Sequence, residues 1–149
     1  MRAVAQRVSR ARVHVDGETV ASIEHGLLAF VGVADEDDLE SARKLADKLV
    51  HLRVFEDDDG KLNRSLLDTG GALAVVSQFT LLGDCRKGRR PSYHLAAEPG
   101  RARELVEAVA DGARALGVPV ETGRFRARMR VELVNEGPVT LLLDTSGVF

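Results

Sequence analysis

The chain has 149 residues, of which 44% are hydrophobic and 30% are charged, and its formal net charge at pH 7 is -2. This length suits one domain that buries about two-thirds of its unfolded surface, and the composition excludes an intrinsically disordered protein. The N-terminus lacks the apolar core of a signal peptide, no apolar run approaches the roughly 20 residues of a membrane span, and the lone cysteine, Cys85, excludes an internal disulfide. We therefore expect one cytoplasmic domain over residues 1–149, with no membrane contact.

The first part of the chain has the patterns of strands. Residues 2–8 and 11–15 alternate between polar and apolar side chains, as a strand with one buried face does. Asp16-Gly17 is a two-residue hairpin turn, which returns the chain through a strand at residues 18–23. Residues 27–33 form a wholly apolar run and predict a central strand.

Two amphipathic helices are predicted. Acidic residues 35–38 suit the start of a helix, and apolar residues then recur at helical spacing over residues 39–49. A second apolar stripe runs over residues 102–116, opened by Glu98-Pro99-Gly100 and ended by Gly117. Both helices are expected to pack on the sheet.

Residues 72–82 form the most informative stretch, because this near-continuous apolar run carries polar side chains at its end. The run predicts a strand covered on both faces, with Gln78 and Thr80 on one face and Ser77 and Phe79 on the other. Small residues before Gln78 leave room for a pocket. The alternative is a buried strand whose polar groups bond to neighbouring backbone.

A polar loop and further strands complete the chain. The loop at residues 83–100 is longer than a simple connection needs to be. Residues 118–149 predict strands, with a turn at residues 135–138 between two of them. The predicted fold class is α+β, with a mainly antiparallel sheet or partial barrel and two amphipathic helices packed on it.

Basic residues are concentrated in two places. Arginine supplies 17 of the 21 basic residues, and its planar guanidinium suits bidentate phosphate contacts. One cluster is the segment 86–90. The second consists of Arg124, Arg126, Arg128 and Arg130, which a strand would present on one face, with Phe125 and Met129 on the opposite face. This pattern fits either a phosphate-binding surface or a solvated strand face.

Several common chemistries are excluded by their missing motifs. The chain has no G-x-S-x-G elbow, no P-loop and no H-E-x-x-H, and its four histidines are scattered. The acidic turn at residues 56–60 fails as an EF-hand calcium loop, because Phe55 and Leu66 stand where carboxylates are required. A Cys85–His94 thiol–imidazole pair has no support from sequence. We expect no cofactor and no metal.

Two segments resemble the signature motifs of a known family. Residues 75–82, V-V-S-Q-F-T-L-L, and residues 133–140, L-V-N-E-G-P-V-T, are similar to the two motifs of the D-aminoacyl-tRNA deacylases. The resemblance extends over essentially the whole chain. It implies hydrolysis of the ester between a D-amino acid, or mischarged glycine, and the 3′ end of tRNA. It also implies a small α+β homodimer with its active sites at the subunit interface.

The resemblance assigns roles to particular residues. It implies catalytic residues at Ser77, Gln78, Phe79 and Thr80. It implies a cis peptide at Gly137-Pro138, which is held by Arg7 and inserted into the partner subunit's pocket to exclude L-aminoacyl groups. Phe125 and Met129 are expected to hold the terminal adenine.

Three alternatives remain open at this stage. The attack on the ester proceeds either through Thr80 or, as we favour, through water activated by the ribose 2′-hydroxyl. A non-catalytic tRNA-binding module would need the arginines but not the Gly-Pro turn. A hydrolase of free D-amino-acid esters or peptides would not need the arginines.

Overall fold

The computed structural model describes residues 1–149 and contains an α+β fold. In chain order its elements are β1 (Arg2–Val15), β2 (Glu18–Ile23), β3 (Gly26–Gly32), α1 (Leu39–His51), β4 (Phe55–Glu56), β5 (Leu62–Arg64), α2 (Leu66–Thr69), β6 (Ala72–Ser77), a 3-10 turn (Phe79–Leu82), α3 (Pro99–Ala115), β7 (Val120–Thr122) and β8 (Arg130–Asp144). The expected α+β class is thereby confirmed. None of the helices has the length and apolar composition that a membrane span needs.

The main sheet is organised around β1. Its order is β2-β1-β3-β6-β7, and β8 pairs with the other edge of β1. The first half of β1 pairs with β3 and the second half with β2, whereas β8 follows β1 along nearly its whole length. These pairings are antiparallel, but β6 pairs in parallel with both β3 and β7. The two strands predicted at residues 2–8 and 11–15 are therefore one continuous strand.

Each face of the sheet covers its own apolar cluster. The larger cluster contains 24 buried residues and lies between the sheet and the helices α1 and α3. The smaller cluster contains eight buried residues from β1, β2, β3 and β6, and Met129 and Val131 pack against it. In β6, Leu73 and Val75 belong to the first cluster and Ala74 and Val76 to the second. Strand β6 is therefore buried on both faces, as its apolar run predicts.

Both long helices begin at side-chain caps. Asp38 accepts a hydrogen bond from the Ser41 N–H at 2.9 Å, and Glu98 accepts one from the Arg101 N–H at 3.0 Å. Gly117 follows α3 with a φ of 99°, the left-handed conformation expected for a glycine at that position. The helices also contact each other closely, because a Cβ on Gly112 would lie 3.0 Å from the Ala46 Cβ.

Three sequence predictions are wrong in detail. Strand β6 ends at Ser77, so Gln78 and Thr80 do not share a strand face. Residues 123–129 form a turn, so the four arginines do not form a strand ladder. Residues 135–138 do not connect two strands but lie within β8, as a bulge opposite β1.

The end of β6 has a clear physical cause. Its parallel partner β3 ends at Gly32, and the last bond of this pairing joins the Gln78 N–H to the Val31 carbonyl at 2.8 Å. Beyond that residue the chain has no neighbour that could continue the ladder, so it folds into a 3-10 turn.

Candidate active site

An apolar cavity of about 530 Å³ lies beside the 3-10 turn. Fourteen residues line it, and ten of them are hydrophobic. Most come from the end of β6, the start of α3 and the turn at residues 123–129, and the others are Val33, Ala96, Ala97 and Val131. Five of the predicted site residues are among them: Ser77, Gln78, Phe79, Phe125 and Met129. Thr80 is exposed and does not line the cavity. This size and apolar lining are typical of a small-molecule site.

The 3-10 turn presents polar groups at the edge of this cavity. The Gln78 side-chain amide donates a hydrogen bond to the Thr80 hydroxyl, and the Leu81 N–H donates to the Gln78 carbonyl at 3.2 Å. The N–H groups of Phe79 and Thr80 lie in the first turn, where a helix offers them no carbonyl of its own. Two backbone donors are therefore available to an oxygen atom placed at this edge.

The 3-10 turn is held in place by its packing against Gly32 of β3 and by a hydrogen bond from Arg2 of β1. Gly32 makes its close packing possible, because a Cβ there would lie 2.9 Å from the Gln78 carbonyl oxygen and 2.6 Å from Leu82 Cδ2. At the far end, Arg2 Nη1 donates to the Leu81 carbonyl at 3.1 Å, and Arg2 Nε donates to Asp144 at 3.1 Å. Sequence reasoning missed Gly32 and Arg2, because neither is near the motif along the chain.

Asp144 is ionised where it meets Arg2. Partial burial by itself raises the pKa of this carboxyl group, but hydrogen bonds from Ser146 and Arg2 outweigh the burial and lower its pKa overall. The Arg2–Asp144 pair is thus a charged anchor for the end of the 3-10 turn.

Phe79 projects outward from the turn. The residue is 56% exposed, although phenylalanine is among the residue types most often buried. The ring packs edge-on against Tyr93 from the long loop, with 5.0 Å between the ring centroids. The loop at residues 83–98 is therefore tied to the cavity edge by this aromatic pair.

The turn at residues 123–129 forms the opposite wall. Its arginines are exposed, whereas Phe125, Ala127 and Met129 are half-buried, so the alternation seen in the sequence persists without a strand. Met129 packs directly over Gly123, where a Cβ would lie 2.8 Å from its sulfur atom. The thioether and the Phe125 ring thus face the same cavity.

The Gly137-Pro138 segment lies elsewhere in the chain. Its peptide bond is cis. Along β1, Val8 pairs with Asn135 and Gln6 with Thr140, so residues 136–139 bulge out opposite the single residue Arg7.

Arg7 fixes the base of this bulge. The side chain is 7% exposed, and its Nε and Nη1 donate to the carbonyls of Glu136 at 3.0 Å and Val54 at 2.7 Å. Asn135 closes the bulge by accepting from the Val139 N–H at 3.2 Å and by donating to Thr140 at 2.9 Å. Asn135 is a functional candidate that sequence reasoning passed over, although it stands inside the second motif.

Within one chain the two groups of site residues occupy separate cavities. Arg7 and Gly137 line a cavity of about 400 Å³ that also contains His25 and Phe55. None of the residues of the 3-10 turn lines that cavity. The structure of a single chain therefore does not bring Gly137 to the Gln78–Thr80 edge.

The chemistry available at the larger cavity is limited. No aspartate, glutamate, histidine, lysine or cysteine lines it, and its single charged residue is Arg126. The one side-chain hydrogen-bond partner of the Thr80 hydroxyl is Gln78. A threonine without a base is a weak nucleophile. No group of three or more histidine, cysteine, aspartate or glutamate side chains is arranged to hold a metal ion.

The basic residues divide into paired and unpaired groups. Arg86 is clamped by Asp84 through hydrogen bonds of 2.9 and 2.7 Å, and this contact holds the pKa of the Asp84 carboxyl well below its usual range. By contrast, the loop residues Lys87, Arg89 and Arg90 are exposed and lack a carboxylate partner. Unpaired cations are the ones free to meet phosphates.

Comparison with known proteins gives consistent results. Residues 4–144 match the family model described as D-Tyr-tRNA(Tyr) deacylase. A protein of Thermomicrobium roseum named D-aminoacyl-tRNA deacylase is 60% identical over 98% of this chain and 95% of its own length. Its namesake from Thermosipho africanus is 54% identical over the full length of both chains.

Two solved structures are similar in fold. That of a protein named c-Myc DNA Unwinding Element Binding Protein has a TM-score of 0.91 and 37% identity, and the match covers 97% of this chain and 98% of that one. A probable eukaryotic D-amino acid tRNA deacylase matches with a TM-score of 0.79 at 18% identity over 95% and 97% of the two chains. The family and the enzyme class expected from the two motifs are confirmed, and the chain belongs to the D-Tyr-tRNA(Tyr) deacylase family.

Proposed function

We propose that this protein hydrolyses the ester bond of D-aminoacyl-tRNA, and of mischarged glycyl-tRNA, as a cytoplasmic proofreading enzyme of translation. The observation that carries the proposal is the 3-10 turn at Phe79–Leu82, which offers two backbone N–H donors at the edge of an apolar cavity. The relatives' name, D-aminoacyl-tRNA deacylase, supports the hydrolysis of D-aminoacyl-tRNA.

The cavity is the place for the terminal adenosine of the tRNA. Phe125 and Met129 face it from the wall at residues 123–129 and would hold the adenine by stacking and by sulfur contact. Stacking of a base on an aromatic side chain contributes about 1–3 kcal/mol. The ribose and the ester would then lie toward Gln78 and Phe79.

The reaction at this edge is hydrolysis. Water adds to the ester carbonyl carbon, the bond to the ribose oxygen breaks, and that oxygen leaves as a hydroxyl after receiving a proton. The N–H groups of Phe79 and Thr80 would stabilise the oxyanion of the tetrahedral intermediate, an effect of about 2.7–4 kcal/mol per donor in a measured protease. Because the cavity supplies no base, the free 2′-hydroxyl of the ribose would activate the water, while Thr80 and Gln78 polarise the site.

Selection of the D form would come from a second copy of the chain. In this proposal Gly137-Pro138 of one subunit enters the cavity of the other, where its backbone carbonyls meet the α-amino group and occupy the space of an L side chain. A rigid backbone excludes the L form without reading which D side chain is present. Glycine has no side chain and would pass.

Two observations support assembly as a homodimer. First, Gly137 and the 3-10 turn line separate cavities within one chain. Second, β8 has fifteen residues and a free outer edge, with Val134 44% and Leu142 59% exposed. Long edge strands with apolar side chains are rarely left uncovered. Sedimentation of the purified protein tests this point directly.

The arginine-rich segments would supply contacts to the rest of the tRNA. Lys87, Arg89 and Arg90 are unpaired on the long loop that is tied to Phe79 through Tyr93. Such contacts add affinity that falls steeply with salt and does not depend on sequence.

The assay for this proposal is the deacylation of D-Tyr-tRNA by three proteins: the wild type, Phe79→Ala and Phe79→Pro. Proline removes the N–H at the first helical position, where its fixed φ is tolerated, and alanine controls for loss of the ring. We expect Phe79→Pro to be slower than Phe79→Ala by about 100- to 1,000-fold in kcat. Equal rates for the two variants would remove the Phe79 N–H from the mechanism.

A tRNA that ends in 2′-deoxyadenosine separates the two forms of attack. If the ribose hydroxyl activates water, the wild type loses activity on this substrate and Thr80→Ala retains activity on normal D-Tyr-tRNA. If Thr80 is the nucleophile, the two results are reversed.

Binding of a nucleic acid without chemistry is a second candidate. It is favoured by the 37%-identical structure, whose protein is named as a binding protein for a DNA element, and by the unpaired basic residues of the loop. This candidate predicts tight, salt-sensitive binding of tRNA or DNA and no release of D-tyrosine.

A further inference from the structure

The cavity wall contains a backbone conformation that the proposed reaction does not use. The Ala127 N–H donates to the Arg124 carbonyl at 3.2 Å, so Phe125 and Arg126 are the central residues of a β-turn. Arg126 has a φ of 62°. A positive φ at the second central position is the type II pattern, which favours glycine or asparagine. An arginine is disfavoured there, because its Cβ approaches the following carbonyl oxygen.

The Arg126 side chain also has a distinctive place in the structure. It is the single charged side chain among the fourteen that line the cavity. It is exposed and makes no ion pair, whereas its neighbour Arg124 lies 3.9 Å from Glu18. A cation without a partner, on a disfavoured backbone and beside a cavity, fits a residue kept for ligand binding.

The chemistry of the ligand follows from the position. In the proposed complex, on which this inference rests, the adenine lies against Phe125, the residue that precedes Arg126. The phosphate on the 5′ side of the same nucleoside then lies within reach of the next side chain. A guanidinium matches two phosphate oxygens with a pair of parallel, charge-assisted hydrogen bonds.

We propose that Arg126 binds the phosphodiester between the terminal adenosine and the preceding nucleotide. It fixes the 3′ end of the tRNA in the cavity. The position carries an arginine for its charge, although its positive φ favours glycine or asparagine. Arg126 is the one arginine of this turn that lines the cavity, so it is the one whose loss affects the shortest substrates.

Two short substrates isolate this contact. D-tyrosyl-adenosine has the ester and the base but no phosphate, and the D-tyrosyl ester of the dinucleotide CpA adds the single phosphodiester in question. Arg126→Asn is the informative variant, because asparagine tolerates a positive φ and carries no charge. Arg126→Gly removes the backbone penalty, Arg126→Lys keeps the charge without the planar fork, and Arg43→Asn on α1 controls for loss of an exposed arginine.

The proposal predicts a loss that depends on the phosphate. Arg126→Asn and Arg126→Gly should lower kcat/KM on the dinucleotide ester by about 10- to 100-fold and leave D-tyrosyl-adenosine unchanged. Arg126→Lys should fall between these variants and the wild type, and Arg43→Asn should match the wild type. The melting temperature of Arg126→Gly should be up to about 2 °C above that of the wild type, because glycine adopts the positive φ without strain.

The contrary results are distinct. Equal losses of kcat/KM on both substrates would mean that Arg126 shapes the cavity. No loss on either substrate would mean that Arg126 is only solvated. Either result overturns the proposal. If the wild type hydrolyses neither short ester nor D-Tyr-tRNA, the proposed function itself fails and this inference fails with it.

Discussion

Replacing Gly32 by alanine tests how closely the 3-10 turn at Phe79–Leu82, the proposed catalytic segment, depends on the sheet beneath it. The added Cβ would lie 2.6 Å from Leu82 Cδ2, 2.9 Å from the Gln78 carbonyl oxygen and 3.1 Å from Leu81 Cβ. Leu82 is 2% exposed and has little room to rotate away. The carbonyl belongs to the backbone, so the relief has to come from a shift of the whole 3-10 turn.

The size of the effect follows from these distances. Overpacking of this kind costs about 1–3 kcal/mol of folding free energy, and displacement of catalytic groups by about 1 Å lowers rates by roughly 100-fold. The shift needed at Gly32 is a fraction of that distance, so we expect kcat on D-Tyr-tRNA to fall by about 10- to 100-fold. Single-turnover deacylation gives the rate, and urea unfolding gives the stability.

Gly112→Ala is the matched control. Its Cβ would lie 3.0 Å from Ala46 Cβ, between the helices α1 and α3 and away from the 3-10 turn. Its stability should change little, because the higher helix propensity of alanine offsets the tight contact with Ala46. Its rate should stay within about twofold of the wild type, because the added Cβ does not move the reacting groups. A Gly32→Ala variant that is destabilised as expected but deacylates at the wild-type rate would show that the position of the 3-10 turn does not limit the reaction.

Three further predictions concern the bulge, the cavity wall and acid stability. Arg7→Met breaks charge-assisted hydrogen bonds to the buried Val54 carbonyl and to the partly buried Glu136 carbonyl, so unfolding should require about 2–4 kcal/mol less. Arg12→Met on the exposed face of β1 should unfold like the wild type. Equal stabilities of the two variants would contradict the role of Arg7. In Gly123→Ala the added Cβ would lie 2.8 Å from the Met129 sulfur, so the sulfur has to move. Because a thioether moves easily, KM should rise several-fold with little loss of stability. An unchanged KM would argue against a binding role for Met129. Hydrogen bonds hold the pKa values of the carboxyl groups of Asp38 and Asp84 below the ordinary 3.8. Such groups stabilise the fold above pH 3.8, so the melting temperature should fall as the pH drops below 3.8. A melting temperature that rises over this range would contradict the lowered pKa values.

Local patterns predicted the elements that depend on neighbours along the chain. Helix α1 begins after the Asp38 cap and continues through the predicted apolar stripe. Strand β2 has the predicted bounds, because the Asp16-Gly17 turn fixes where the return strand starts. The apolar run of β6 correctly predicts burial on both faces, and that of β3 correctly predicts a central strand, although neither run predicts their parallel pairing.

The parts of the site that sequence missed depend on partners distant in the chain. The apolar run continues past Ser77, but the strand stops there because β3 stops at Gly32, and no pattern within the run carries that information. The bulge at Gly137-Pro138 is likewise held by Arg7 on β1, whereas its turn-like residues, read by themselves, predict a connection between strands. The alternation of arginines with apolar residues around Phe125 corresponds to alternate exposure and burial of these residues. A turn beside a cavity produces this pattern as well as a strand does.

Chiral deacylation by this protein is measured by the initial rates of deacylation of D-Tyr-tRNA and L-Tyr-tRNA by the purified wild-type protein. The proposed filter predicts rapid release of D-tyrosine, with L-Tyr-tRNA decaying at the rate measured without enzyme. Equal release from both forms would contradict chiral selection by the Gly137-Pro138 segment. Release from neither form would contradict the deacylase activity itself.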